Sequence, residues 1–453
     1  MMNPFALKSK FALSLILTLT VALLRPFGFR SGFASDKRFG DSQTYVIFIP
    51  LVFNTNHSNY YVDSVSGSDA NPGTSPAQPW QNLSRLQDTR LAPGSVVHFK
   101  RDSVWTGSLL IQDSGQPDNP IVFTTYGSGE RPVLLNPGDA NLRTKGILID
   151  ADWVVVEGLL IRDVFHAGIH VLRNSDHNII RDVEVTQAGF GVLIEGRYNL
   201  VTHNDIHDLH MVNNTPGGSD DYGAVGVSIE NSFNEISYNR FVNCLASSYD
   251  YGKDGGAVEW WGEADGVSIH HNWASGNDGF LEVGGGSARN AVVSYNVSVN
   301  NRRFAAFQLS GQFASVVDNF RVENNTIVET PGAEKGWDVF WFSSPPASNS
   351  LILRNNIIYA DWFSTVANLP GFTHSQNLYY IGSGTLLNFT LGPGEMIADP
   401  SFVGLAVQDF HLLASSPAVN AGQDLGYSSD FEDKPVPVGQ VPDLGAFELQ
   451  SNP

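Results

Sequence analysis

Two stretches carry the residues best suited to chemistry: DGGAVEWWG (Asp254 to Gly262) and NDGFLEVGG (Asn277 to Gly285), each a glycine turn, a short apolar run and a glutamate. On strands of period two, inward Val258 and Leu281 turn Glu259 and Glu282 outward. If the two strands are hydrogen-bonded neighbours about 4.8 Å apart, their carboxyls start near the roughly 5 to 5.5 Å separation used for glycosidic cleavage with retention. Glu230 and Glu282, two strands apart at about 9.6 Å, would sit at the upper end of the inverting range. Two ionised carboxylates about 5 Å apart repel by roughly 3 kcal/mol at an effective dielectric near 20, enough to keep one protonated near neutral pH as a general acid. In open water the repulsion drops below about 1 kcal/mol, and the same column is a solvated face. Asp254 and Asp278 are turn formers by context and secondary catalytic candidates.

Such acids need elements that hold them in register, and the chain supplies a repeat. The form apolar-x-Asn-x-apolar recurs at Asn204, Asn239, Asn272, Asn296, Asn325 and Asn356, with Asp182 at the head, at intervals of 22, 35, 33, 24, 29 and 31 residues. Periods of this length, made of short β-branched strands and Gly/Asn turns without helical patterning, indicate a stacked β-solenoid with the asparagines laddered at one bend. A β-sandwich also has many short strands, but lacks a motif recurring in one fixed context. A second column runs beside the first: GVLIE (Glu195), GVSIE (Glu230), GGAVE (Glu259), DGFLE (Glu282) and AAFQ (Gln308). From Asn (or Asp182) to the next Glu or Gln the counts are 13, 26, 20, 10 and 12, so two successive coils carry long loops, HDLHMVNNTPGGSDDYG and LASSYDYGKDGG, at one edge of the glutamate strand. Stacked loops on one edge build the wall of a groove, and a groove along a solenoid suits an elongated polymer.

The 453 residues carry 26 Lys+Arg against 46 Asp+Glu, a net charge of -20 that repels nucleic acid and anionic membranes. Lys8 and Lys10 precede an apolar run from Phe11 to Leu24, and small residues follow at Gly32 and Ala34. This pattern predicts a secretion signal over 1–34 and a secreted, extracellular protein; the run is short for a membrane span, with an uncleaved anchor as the alternative. A linker is expected over 35–59, the solenoid over 60–385 with its lead-in and cap at 60–150, and a C-terminal capping region over 386–453. PWQNLSRLQ (Pro79 to Gln87) is the candidate capping helix, since an open coil exposes its core at both ends. Cys244 is the one cysteine, so no internal disulfide forms; its place in FVNC predicts a buried, inert thiol. A monomer is expected.

The lead-in YYVDSVSGSDANPGTSPAQPWQNL, LAPGSVVHFKRDSVWTGSLLI and NPIVFTTYGSGERPVL, with the coils after it, resembles the pectate-lyase-like superfamily of secreted right-handed parallel β-helix proteins. IADPSFVG, DFHLLASSPAVNAG and VPDLGAFE are similar to the C-terminal region of bacterial β-helix proteins of the choice-of-anchor Q type. The resemblance implies an all-β right-handed parallel β-helix and a polysaccharide substrate or ligand, but no single activity, because the fold hosts lyases, hydrolases, epimerases and adhesins.

Three readings follow. The first is a glycoside hydrolase with Glu259 and Glu282 as acid/base and nucleophile and no cofactor. The second is a calcium-dependent lyase acting on a uronate polymer: the resemblance implies a Lys or Arg base, for which Lys253 stands beside the acids, and Asp254, Glu259, Asp278 and Glu282 are the oxygen ligands on offer. Against it, no Asp-Asp-Gly calcium cluster and no strong basic groove is evident. The third is a non-catalytic glycan-binding or adhesive β-helix. Glu230, Gln308, Arg302 and Arg303 are candidate substrate contacts, the arginines for a sugar carboxylate. The aromatics Trp260, Trp261, Trp273 and Phe280 are candidates to stack on sugar rings, those facing inward filling the core instead.

Overall fold

The strands are short because each coil turns at a residue with left-handed backbone. His203, Tyr238, His271, Tyr295, Asn324, Asn355 and Gln376 have φ between 49° and 59°, and each precedes a buried asparagine: Asn204, Asn239, Asn272, Asn296, Asn325, Asn356 and Asn377. A left-handed non-glycine residue costs about 1–2 kcal/mol, and two features of the stack offset it. The first is the asparagine ladder. The backbone N–H of Asn204 donates to Oδ1 of Asn239 (3.0 Å), and the pattern continues through Asn272, Asn296, Asn325 and Asn356 to Asn377 at 2.9–3.0 Å. The second is ring stacking at the corner, with centroids 4.9 Å apart for His203–Tyr238, 4.7 Å for Tyr238–His271 and 5.5 Å for His271–Tyr295.

The six asparagines expected to share one bend do so. Asp182 is not on the ladder: it is itself a left-handed corner, ion-paired with Arg131 at 2.7 Å, and the N–H of Val183 takes the rung below Asn204. Two further ladders escape the sequence pattern, Asn178–Asn199–Asn234 and Asn277–Asn301. The latter begins at the N–H of Cys244 and ends on the buried carboxyl of Glu329. Cys244 is fully buried there, and burial pushes its thiol well above the ordinary range.

The computed structural model describes residues 58–139, 142–334, 338–347, 350–360, 372–381 and 390–450. These all belong to the larger of two compact units, Ala34–Pro453. The expected secretion signal and all but the last two residues of the expected linker lie outside the described residues. Every strand pairing between successive coils is parallel, and the coils form a right-handed parallel β-helix. The first sheet has twelve strands, from Asn59–Val62 to Phe372–Ser375. A second face runs from Val104–Thr106 through Trp273–Ser275 to Met396–Ile397. The third runs from Leu109–Ile111 through Lys145–Ile149, Val225–Ile229, Gly256–Trp260, Leu281–Val283 and Ala305–Phe307 to Phe340–Phe342. The long strands Leu160–Val171 and Glu184–Ile194 bend across both of these faces.

One continuous apolar core fills the coil, including Val192, Ile229, Val258, Trp260, Leu281 and Phe340. At the N-terminal end the short helix Leu83–Gln87 buries Leu83 and Leu86 against this core. The segment after Pro400 lies along the flank of the second face: Phe410, Ala446 and Phe447 pack on Val297, Val299 and Val328, and the Tyr238 hydroxyl donates to Asp433 at 2.6 Å.

Candidate active site in the third-face cleft

Backbone pairing sets which outward side chains share a column. Leu193 pairs with Ser228, Ser228 with Glu259, Glu259 with Glu282, and Glu282 with Ala306. Glu259 and Glu282 are therefore direct neighbours on adjacent parallel strands. Glu195 and Glu230 are not in their column. Backbone bonds from Glu195, Glu230, Trp261, Gly284 and Gln308 to the preceding coil place those five in a second column, two residues further along the strand. The expected two-coil spacing between Glu230 and Glu282 is thereby removed. The physical reason is that a shift of two residues leaves the in/out alternation unchanged, so side-chain pattern alone cannot detect it.

Both columns floor a cleft of about 820 Å³ lined by Asp254, Glu259, Glu282, Arg303, Trp261 and Glu230 among others. One wall is made by the two long loops, each a hairpin: Met211–Asn213 with Tyr222–Gly223, and Ala246–Ser248 with Gly252–Asp254. They are tied together by Asn214 Nδ2 to the Ser247 carbonyl (2.9 Å) and Ser248 Oγ to Asp221 Oδ2 (2.7 Å). Phe313, Gln308 and Trp341 line the cleft on the coils that follow Glu282.

Glu259 is 7 % exposed, and Trp261 Nε1–H donates to its Oε2 at 3.0 Å. The indole lies where a side chain at Gly284 would stand, a Cβ there meeting the ring at 2.6 Å. The glycine after LEV thus makes room for the aromatic that holds the neighbouring acid. Burial, then Glu282 and Asp254, raise the Glu259 carboxyl well above the ordinary carboxylate range, against the Trp261 bond and Arg303. Glu282 keeps 28 % of its side chain exposed and has Arg303 Nη2 3.6 Å from Oε2. Burial raises it, Arg303 opposes that, and Asp278 adds to the rise. Asp254, on the second hairpin, is pushed up to about 7 by burial and then by Glu282. The cluster therefore gathers three acids about one guanidinium, each carboxyl held above its ordinary range. This is what acid/base catalysis near neutral pH requires.

Asp278 is elsewhere in the network. Its side chain is 1 % exposed and ion-paired to both Arg302 and Arg303, so it anchors the arginines below the cleft and is not an acid facing substrate. Lys253 lines the cleft and is ion-paired with Glu334, which also meets Arg302 at 3.3 Å. The calcium set Asp254, Glu259, Asp278 and Glu282 does not come together. Among the described residues the one group of three acids whose oxygens converge is Asp220, Asp221 and Asp250, where they accept backbone and hydroxyl bonds that join the two loops.

Of the expected substrate contacts, Glu230, Trp261, Arg302, Arg303 and Gln308 line the cleft. Trp260, Phe280 and Trp273 do not. Trp260 follows an outward residue and so points inward, fully buried, its Nε1–H on the Ser287 carbonyl at 3.2 Å. Phe280 stacks on Phe304 inside the coil, centroids 5.0 Å apart. Trp273 faces out from the second face, but the C-terminal segment covers it, with Phe410 at 5.9 Å. Sequence reading missed Arg143, Lys145, His166, His170, Ser228 and Phe313, all on the cleft. Ser228 and His170 stand in the column of Glu259, and extending that column to earlier coils would have found them.

Comparison with known proteins agrees with this architecture. Residues 145–357 match the family described as right handed beta helix region. The crystal structure of pectate lyase Pel9A superposes with a TM-score of 0.61 at 18% identity, covering 87% of this chain and 97% of that one. A GH136 lacto-N-biosidase from Eubacterium ramulus overlaps with a TM-score of 0.45 at 15% identity, over 75% of this chain and 67% of that one. Among curated proteins, lacto-N-biosidase of Bifidobacterium longum subsp. longum is 37% identical over 87 residues, 18% of this chain and 5% of that protein's length. By fold, the chain is a right-handed parallel β-helix.

Proposed function

We propose that this protein is a secreted glycoside hydrolase that holds a glycan along the third-face cleft and cleaves it with retention of configuration. The observation that carries this reading is the pairing of Glu259 with Glu282 on adjacent strands, which starts their carboxyls near the roughly 5 to 5.5 Å expected of a retaining pair. Glu259, the more buried and hydrogen-bonded by Trp261, is the proton donor. Glu282, faced by Arg303, is the ionised nucleophile. Glu259 gives its proton to the glycosidic oxygen as Glu282 bonds the anomeric carbon and the leaving sugar departs. Glu259 then takes a proton from water, whose oxygen displaces Glu282 and restores both groups. Trp261, 43% exposed, offers a ring face for stacking on a sugar beside the acids. The short likeness to a lacto-N-biosidase points the same way.

A lyase is the second reading, favoured by Lys253 on the cleft. The pairing of Lys253 with Glu334 and the engagement of Asp278 by two arginines weaken it. A panel of polysaccharides and oligosaccharides, read for new reducing ends and for the ultraviolet absorbance of unsaturated uronides, separates the readings. Reducing ends without that absorbance, lost by about 10² to 10⁴ in Glu259→Gln and by more in Glu282→Gln, are expected. Wild-type turnover in both variants would show the column to be a solvated face.

A further inference from the structure

The cleft is polarised along its length. At the acid end each cation has a carboxylate partner: Arg302 and Arg303 on Asp278, and Lys253 on Glu334. At the other end stand Arg143 and Lys145. Lys145 pairs with Ala167, Ala167 with Phe190, Phe190 with Val225 and Val225 with Gly256. It therefore lies four coils from the strand of Glu259, roughly 19 Å along the axis at about 4.8 Å per strand. Among the described residues no carboxylate oxygen comes within ion-pair distance of Arg143 or Lys145; the nearby Glu195 is taken by His170 at 2.9 Å and Arg173 at 4.0 Å. The Arg143 guanidinium is 6.0 Å over the Tyr222 ring, which holds it at the wall. Beside them His166 is 7% exposed, packs on Phe190 with centroids 5.4 Å apart, and has an Nδ1 without a hydrogen-bond partner.

On one cleft wall a solvent-exposed Arg143 and a half-buried Lys145 stand without an ion-pair partner among the described residues, beside a buried imidazole whose Nδ1 makes no hydrogen bond, in a chain of net charge -20 that has carboxylates in excess. The neighbouring charges show in the titrations: burial and then Arg143 lower Lys145, against Glu195, and burial, Lys145, His170 and Arg143 together hold His166 down at about 4. An anion on the wall offsets the shifts of both Lys145 and His166.

We propose that Arg143, Lys145 and His166 form a subsite for an anionic substituent, a carboxylate or a sulfate, carried by a sugar several rings away from the bond that is cleaved. The distance from that bond rests on the hydrolase reading above; the subsite does not. A guanidinium binds either oxyanion with two parallel bonds, and Lys145 adds a point charge. The subsite would also draw an acidic glycan into a protein whose overall charge repels it.

The test uses the full chain as Glu259→Gln, labelled at histidine and titrated at fixed pH with sodium glucuronate and with sodium sulfate, against chloride at equal ionic strength. A saturable change in the His166 imidazole resonances is expected, and the two arms tell carboxylate from sulfate. Acidic oligosaccharides are then compared with their carboxyl-reduced or desulfated forms. Arg143→Gln and Lys145→Gln should each weaken binding of the acidic form about tenfold and leave the neutral form unchanged. Lys145→Arg, which keeps the charge, should retain the response, so that a loss in the glutamine variants is not misfolding. A response no different from chloride, or equal binding of acidic and neutral forms, overturns the subsite. Hydrolysis of neutral glycans without an anion response leaves the hydrolase and removes the subsite. Unsaturated products that depend on Lys145 and not on Glu282 leave the subsite and remove the hydrolase.

Discussion

Trp261→Phe isolates the hydrogen bond that tunes the proposed acid. Phenylalanine keeps an aromatic face and the fit against Gly284, but loses the Nε1–H that meets Glu259 Oε2 at 3.0 Å. A hydrogen bond to an ionised group is worth about 1.5–3 kcal/mol, which at 1.36 kcal/mol per pKa unit corresponds to roughly one to two units. Trp261 is 43 % exposed, so water replaces part of the lost bond and the expected shift is about one unit. The bond favours the ionised form, so removing it raises a carboxyl that burial already holds well above its ordinary range. A general acid works while protonated. The alkaline limb of the kcat/KM profile, which reports the free enzyme, should therefore move to higher pH by about one unit. An unmoved limb, or one displaced to lower pH, would refute Glu259 as the group that titrates there.

Three further outcomes are expected. Asp254, pushed up to about 7, keeps its proton in the folded chain after the unfolded chain has released it near pH 4; stability should fall as pH rises from about 4 to 7, and Asp254→Asn should flatten that fall in thermal melts. A wild-type slope in that variant would contradict the assignment. Asp278→Asn leaves Arg302 and Arg303 without their buried partner and should cost about 3–5 kcal/mol in urea denaturation, whereas a loss below about 1 kcal/mol would mean the network is incidental. Turnover should survive exhaustive chelation, because neither Glu259 nor Glu282 needs a bound ion in the proposed mechanism; loss with chelator and recovery with calcium would move the chemistry to the lyase reading.

Much of this molecule is legible in its one-dimensional pattern, because a stack repeats its physical constraints coil by coil. Each asparagine rung must offer an acceptor to the coil on one side and a donor to the other, so the same residue in the same context returns, from Asn204 to Asn356. Cys244 was readable as buried because its apolar neighbours alternate with it. The adjacency of Glu259 and Glu282 followed from the short interval between their coils, and the joined wall from two insertions at one edge. Other features required the folded chain. Alternation tells inside from outside but is blind to a slip of two residues, so only the backbone pairing separated Glu195 and Glu230 from the acid pair. Asp278 reads as a turn acid until Arg302 and Arg303, one coil later, close on it. Trp273 is outward on its strand and still hidden, because the C-terminal segment lies over it. The cation pair of Arg143 and Lys145 belongs to coils without any motif, and its place on the same cleft as Glu259 depends on three intervening coils of different length stacking in line. Local sequence determines what each strand presents and to which side; the pairing between coils, a long-range property of the backbone, decides which presented groups meet.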